Sequence, residues 1–366
     1  MESSGTSPTA ANGETSRLSK VFAPNWSGMN LNRALGVLAV MAIPLIVSIA
    51  TGQEKYWLSA SFGALFVGLS DQGGGFANRV QRMGLVGVIG ALLTWLGFGI
   101  GAHGWGLVVV ASFAVTLMAG LAVKFGVHRF VTAYLLNVWF IICVGLPGTY
   151  ALEGVSTHAG RQALAWLAGS ALWIAAAGVL WLARGRGSQP SPFPEIPADT
   201  APRELTGPVI MFAVIRALAV SLAIAIAFGL ELPNAYWMPI ATVVAMKASL
   251  DQSALAAEQR LAGATVGAIF ATLVLLIVDG KHALEAIIVL LAALGGGIRT
   301  VNYALYSATI AALVLIADDL ARPTNFSNEI ERVLYTFAGL GIGVGVMFLA
   351  DLLSKKRAAT TAPAPT

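Results

Sequence analysis

The sequence predicts an all-α polytopic membrane protein of about 12 transmembrane helices, built as two parallel six-helix repeats. Three observations lead there. First, 57% of the 366 residues are apolar and only 11% are charged, about half the charged share of an ordinary soluble domain. Second, apolar runs near the length that crosses a bilayer, bounded by Arg, Asp, Gly or Pro, recur along almost the whole chain. Third, one stretch occurs twice: YWLSASFGALFVGLSDQ from Tyr56 and YWMPIATVVAMKASLDQ from Tyr236. Each copy opens on Tyr-Trp and closes on Asp-Gln at the same spacing.

Residues 1–29 are polar and rich in Ser, Thr, Ala and Gly, with no apolar core and cleavage site of signal-peptide type. They are expected to be a disordered cytoplasmic tail, with the first span acting as an uncleaved insertion signal. The first repeat, 30–184, carries spans at roughly 31–52, 56–71, 83–102, 105–124, 130–148 and 161–183. Residues 185–207 (GRGSQPSPFPEIPADTAPRELTG) are dense in Pro and Ser, the composition of a polyproline-II or disordered linker. The second repeat, 208–354, carries spans at roughly 209–230, 235–250, 261–279, 282–298, 301–317 and 332–353, before a cytoplasmic tail at 355–366.

On this map 17 of the 22 Lys and Arg residues fall on the side of the N-terminus. Lys55, Arg161, Lys281, Arg322 and Arg332 fall opposite. Basic residues collect on the cytoplasmic side, so both termini are expected there. Removing one span from the first half would invert every later loop and spoil the asymmetry. An even number of spans per half gives the repeats one orientation, related by an axis along the membrane normal. Further landmarks keep their order in both halves: Arg33 and Arg216 near the start of each first span, Gln81-Arg82 and Gln259-Arg260 at each third, Arg161 and Arg332 at each sixth. Gly169 follows Arg161 as Gly339, Gly341, Gly343 and Gly345 follow Arg332.

The duplicated stretch is also where function is expected. Between its bookends lie about 15 mostly apolar residues, roughly 22 Å of helix, against roughly 30 Å of hydrocarbon. Paired short spans at corresponding places in two halves point to a transporter's binding region.

The stretch AYWMPIATVVAMKASLDQ followed by EQRLAGATVGAIFA, residues 235–271, resembles the fusaric-acid-resistance-like (FUSC) family of bacterial inner-membrane proteins. Arg260, Gly263 and Gly267 stand in the R-x-x-G-x-x-x-G arrangement of that family. The first half matches less closely: Arg82 precedes Gly84, Gly87 and Gly90, Ser59 stands for Pro239, and Val67 for Lys247. The resemblance implies a multi-pass inner-membrane exporter of organic or aromatic carboxylates, driven by the proton gradient. Many relatives carry a sizeable soluble cytoplasmic domain where this sequence has only the short linker, so a regulatory role tied to that domain is not expected from it.

From the residues alone, Arg216 lies deep in an apolar run, where a cation faces a cavity, a partner or the headgroups. Either Arg216 and Arg33 form a pseudo-symmetric pair attracting an anion, or both snorkel to the interface. Lys247 and Asp251 stand at i and i+4, either a simple end pair or a pair that substrate or a proton displaces; Asp71 lacks the lysine. Asp71 with Arg82 and Asp251 with Arg260 suit a clasp between consecutive helices, or the arginines floor an aqueous vestibule. Arg161 and Arg332 form an outer anion funnel or pair with Glu153, Glu329 or Glu331. Tyr56, Trp57, Tyr236 and Trp237 either anchor spans at the interface or stack on an aromatic substrate. Asn137, Asn302 and Tyr303 meet polar substrate groups or bond between helices.

Several classes fall away. The lone Cys143 excludes disulfides and a cysteine-rich metal site, and none of the four histidines has a second His or a Cys at i+3 or i+4. Gly73 to Gly75 and Gly295 to Gly297 do not continue into a phosphate loop. No enzyme signature, cofactor site or nucleic-acid patch is present. The expected partners are a small organic anion and the lipid bilayer, with a homo-oligomer left open. An anion channel and a non-transporting envelope scaffold are the alternatives to a carrier.

Overall fold

A computed structural model of the chain describes residues 23–101, 103–149, 157–191, 199–232, 236–246, 250–278, 280–321 and 326–361. Among them are 12 α-helices and no strand. The first half contributes α1 (Leu31–Thr51), α2 (Trp57–Leu69), α3 (Phe76–Ile100), α4 (Trp105–Leu121), α5 (Val127–Thr149) and α6 (Ala159–Ala183). The second contributes α7 (Gly207–Gly229), α8 (Trp237–Ala245), α9 (Leu250–Ile277), α10 (Lys281–Ile298), α11 (Tyr303–Ala321) and α12 (Phe326–Thr361). Each expected span therefore coincides with a helix. Seven of them, α1, α3, α4 with its following turn, α5, α6, α7 and α10, are long and apolar enough to cross a membrane. The apolar parts of α9, α11 and α12 are shorter.

The two duplicated stretches form the shortest helices, α2 with 13 residues and α8 with 9. Pro239 sits in the first turn of α8, where its missing N–H costs no helical bond. The β-branched run Thr242-Val243-Val244 then disfavours continuation, and Met246 leaves the helix in extended conformation at φ −75°, ψ 103°. The helix thus stops earlier than the expected 235–250. All nine of its residues are buried. Broken backbone at membrane depth survives where protein surrounds it, and α5, α7, α9 and α12 all pack on α8.

Helix pairing follows the same order in both halves. The second helix packs on the sixth, the third on the fifth and sixth, and the fourth on the fifth. Between the halves the packing is reciprocal: α1 lies along α10 and α4 along α7, the first helix of each half against the fourth of the other. The segment ahead of each first helix follows the same rule. Asn25 N–H donates to the Val301 carbonyl at 2.8 Å and Asn30 N–H to that of Gly297 at 3.0 Å, while Thr300 Oγ1 donates to the Gly28 carbonyl at 2.6 Å. In the linker, Arg203 N–H donates to the Lys124 carbonyl and His128 N–H to that of Asp199, both at 3.0 Å. The Arg203 guanidinium, 2.7 Å from Asp199, holds that carboxyl below the usual carboxylate range by hydrogen bonding.

These contacts correct the sequence reading of both connectors. Residues 23–29, expected within a disordered tail, are docked, and so are both described flanks of the linker; residues 1–22 and 192–198 lie outside the described residues. The C-terminal helix also runs on through Lys355, Lys356 and Arg357 to Thr361.

The first half is filled by rings. Phe62 stacks on Trp139 with centroids 4.8 Å apart, Trp139 on Trp166 at 5.3 Å, and Phe66 meets Trp166 edge-on at 5.7 Å. Trp139 Nε1 donates to Thr94 Oγ1 at 2.9 Å and Trp166 Nε1 to the Gly87 carbonyl at 3.0 Å. Cys143 is buried in the same cluster, a packed small residue.

The second–sixth helix crossing depends on glycine in both halves. A Cβ on Gly169 would enter the carbonyl of Ala60, and one on Gly339 the carbonyl of Met238, whereas a Cβ on Gly341 would meet nothing within 4 Å. We expect Gly169→Ala and Gly339→Ala each to destabilise by about 1–3 kcal/mol through overpacking. Gly341→Ala should be neutral or gain up to about 1 kcal/mol of helix propensity. Thermal unfolding in detergent checks this, and equal melting temperatures for all three variants would contradict the crossing.

Candidate functional site

A helix that ends inside a bundle leaves carbonyls without helical partners and the negative end of its dipole uncompensated. At α8 the answer comes from α7. Arg216, the tenth residue of α7, is only 5% exposed. Its Nη2 donates to the Val243 carbonyl at 3.1 Å. Its guanidinium lies over the Tyr134 ring of α5, 4.7 Å from the centroid, a cation–π contact that strengthens when desolvated. Nε of Arg216 is buried with no hydrogen-bond partner among the described residues. No described carboxylate pairs with this guanidinium; its neighbours are a carbonyl and a phenol.

A second cation faces the same region from α9. The Arg260 side chain stands beside the Tyr303 hydroxyl at the start of α11, while its Nε is buried and unpartnered among the described residues. Tyr134 lies within electrostatic reach of Arg216, Arg260, Tyr303 and Tyr306 together. Tyr303 and Tyr306 lie one turn apart on α11 with ring centroids 6.0 Å apart. Two arginines and three tyrosines thus converge where the fifth helix of the first half meets the second half. The arrangement can hold an anion by charge and hydroxyl bonding, with ring faces beside it. α9 approaches α11 this closely because Gly263 and Gly267 face Ala304 and Ala308 without side chains.

The first half closes the corresponding place with a fixed carboxylate. Asp71, just past α2, accepts Arg79 Nε at 2.9 Å and Nη2 at 2.5 Å in a two-pronged pair, with side chains 0% and 4% exposed. Gly73 N–H adds 3.0 Å to Asp71 Oδ1. The expected clasp between Asp71 and Arg82 is therefore made by Arg79, one turn earlier, and Arg82 Nη2 instead holds the Gly73 carbonyl at 2.8 Å. The linker is strapped over this corner. Gly74 N–H donates to the Gln189 carbonyl at 2.8 Å, Arg79 Nη1 to Gln189 Oε1 at 3.2 Å, and Ser191 Oγ to the Asp71 carbonyl at 2.7 Å. By the Gln-Arg register the second half has Ala257 in place of Arg79.

The other candidates are dispersed. Arg33 is third in α1, near the helix end, and its Nη1 donates to the Gly296 carbonyl at 3.0 Å in the last turn of α10. It shares no site with Arg216, so the two are not a symmetric pair around one anion, and with side chains 5% exposed neither snorkels to headgroups. Tyr236 and Trp237 are 4% and 7% exposed and belong to the core between α5 and α8, which replaces the interface-anchor reading. Tyr56 is half-buried. Trp57 packs against core residues of α1, α10 and α11. Arg161 is exposed. Asn137 accepts Thr116 Oγ1 at 3.1 Å between α4 and α5, and Asn302 caps α11 through the N–H groups of Ala304 and Leu305. Lys247 and Glu153 lie outside the described residues, as do the side chains of Asp251, Glu329 and Arg332.

Tyr134, Tyr306 and Arg79 escaped the sequence reading. A lone Tyr in an apolar run has no spacing partner to mark it. Arg79 lies ahead of the apolar run that opens at Met83, and its distance of eight from Asp71 becomes meaningful only once α3 is seen to begin at Phe76.

Residues 206–346 match the family described as fusaric acid resistance protein-like. The match runs from the start of α7 into α12 and so covers the half that carries Arg216, α8 and the Arg260 motif. No curated protein and no solved structure matches the chain.

Removing one partner of a buried ion pair costs about 3–5 kcal/mol, because the other charge stays buried. Arg79→Ala should lower the melting temperature of the purified protein far more than Arg82→Ala, which loses one bond to a carbonyl. An Arg79→Ala variant as stable as the parent protein would contradict the clasp.

Proposed function

We propose that this protein is a membrane transporter for organic anions whose working site lies in the second half, beside the broken helix α8, with the first half as its support. The observation that carries the reading is Arg216: a guanidinium inside the bundle, oriented by the Val243 carbonyl and the Tyr134 ring, with no described carboxylate beside it. An ionisable side chain inside a membrane bundle marks a substrate path, and short or interrupted helices mark the binding region of transporters; Arg216 of α7 meets the end of the short α8. Arg260, Tyr303 and Tyr306 extend the site along α9 and α11. The match of residues 206–346 to a fusaric acid resistance protein-like family supports export as the direction and carboxylates, aromatic ones among them, as the substrates.

In the full reading all twelve helices lie in the inner membrane as two six-helix repeats with both termini cytoplasmic. The repeated order of helix pairs and the reciprocal packing of first on fourth helices support the duplication, and the excess of basic residues supports the orientation. Transport is coupled to protons, with Lys247 and Asp251, four apart in the sequence after α8, as a pair that substrate or a proton displaces.

The test is flux in proteoliposomes loaded with a panel of benzoate- and alkanoate-type acids. Arg216→Ala should reduce flux by about 10-fold or more, the effect of losing a charge-assisted contact of about 1.5–3 kcal/mol, with unchanged membrane insertion. Arg216→Lys should recover only part, since an ammonium lacks the planar fork that lies on Tyr134. Parental flux in both variants would remove Arg216 from the path. Flux that follows voltage and anion gradients alone, indifferent to a proton gradient, would mark a channel on the same frame.

A further inference from the structure

At the end of α10 remote from Arg33, a carboxylate is buried that the transport site does not use. Glu285 is 4% exposed. His282 Nδ1 lies 2.9 Å from its Oε2 and Lys281 Nζ lies 3.9 Å from its Oε1. Lys281 also pairs with Glu54, in the turn between α1 and α2 of the other half. One cation is thereby shared between a buried acid on α10 and an acid on the first half. The imidazole of His282 is 71% exposed and reaches water. Lys55 stands beside Glu54 with its ammonium over the Tyr56 ring at 5.8 Å, and Trp57 follows in the core. α11 ends on this side with Asp318 and Asp319, whose side chains lie outside the described residues.

We infer that Glu285 is the proton-carrying residue of the transport proposed above, loaded from water through His282, and that its charge sets how Lys281 is divided between the two halves. A protonated imidazole gives its Nδ1 proton to Oε2 of Glu285, leaving a neutral ring protonated on Nε2 and a neutral carboxyl. Lys281 then has one anionic partner, Glu54, and the clasp between α10 and the first half tightens. When the proton leaves, the carboxylate draws Lys281 back toward α10 and the clasp loosens. An ionisable group buried within a membrane bundle is functional by default because its desolvation is costly, and histidine side chains change charge between about pH 5 and 8. The same helix meets Arg33 of the first half at its other end, so a change at Glu285 acts on an element tied to the first half at both ends.

The inference rests on the transport reading, and two measurements separate them. In lipid nanodiscs, the infrared difference spectrum between pH 8 and pH 5 should contain a carboxylic C=O band that Glu285→Gln lacks and that His282→Gln shifts to a different midpoint. An identical spectrum from parent and Glu285→Gln overturns the inference whatever the protein transports. In proteoliposomes, Glu285→Gln should lose the dependence of flux on the pH of that side while retaining flux down a substrate gradient. A band assigned to Glu285 in a protein that moves no organic anion would leave the titration standing and sink the transport reading; an unaltered pH profile in Glu285→Gln would sink its coupling role.

Discussion

A helix that stops inside an apolar bundle has to settle its last carbonyls, and how α8 does so governs the rest of the molecule. Lipid cannot donate a hydrogen bond and water is excluded, so the donor must come from a neighbouring helix. Arg216 is that donor. The choice of arginine rather than a neutral side chain places a full charge against the negative end of the helix dipole. It also lays the guanidinium over the Tyr134 ring. The demand for a capped helix end and the supply of a buried cation are thus met by one residue.

The two halves share a plan and differ in what they do with it. In the first half α2 is longer, its end is closed by the Asp71–Arg79 pair, the linker lies over that corner, and stacked rings fill the interior. In the second half α8 is shorter, no arginine stands at the register position of Arg79, and tyrosines and arginines replace the ring stack. Reciprocal packing of α1 on α10 and α4 on α7 then ties a rigid half to one with polar groups at its centre.

Much of the helical plan was legible in the sequence, because apolar runs and their polar borders follow directly from the cost of exposing backbone to hydrocarbon. The shortness of α2 and α8 was legible too, from the spacing of Tyr-Trp and Asp-Gln. Which arginine clasps Asp71 was not: Arg79 and Arg82 lie on one face of α3, one turn apart, and the choice depends on where α3 begins. Nor could Tyr134 be found, since its significance comes from Arg216, 82 positions away in sequence. Docking of 23–29 onto the loop after α10 was equally hidden, because polar, Ser-rich composition gives no sign of a distant loop whose backbone groups it can pair.

Energetics separate the buried arginines Arg79 and Arg216. Burying a guanidinium costs several kcal/mol even after relaxation. Arg79 offsets that with a carboxylate held on both prongs and a further acceptor on Gln189. Arg216 has one charge-assisted bond to a carbonyl, about 1.5–3 kcal/mol, and one ring, about 2 kcal/mol when desolvated. Those two contacts approach the lower end of the cost without supplying an opposite charge. A carboxylate built into the chain would complete the compensation and leave a second clasp. Among the described residues no carboxylate stands beside Arg216, and on the proposed reading a carboxylate arriving on a small molecule supplies the counter-charge for as long as the molecule stays.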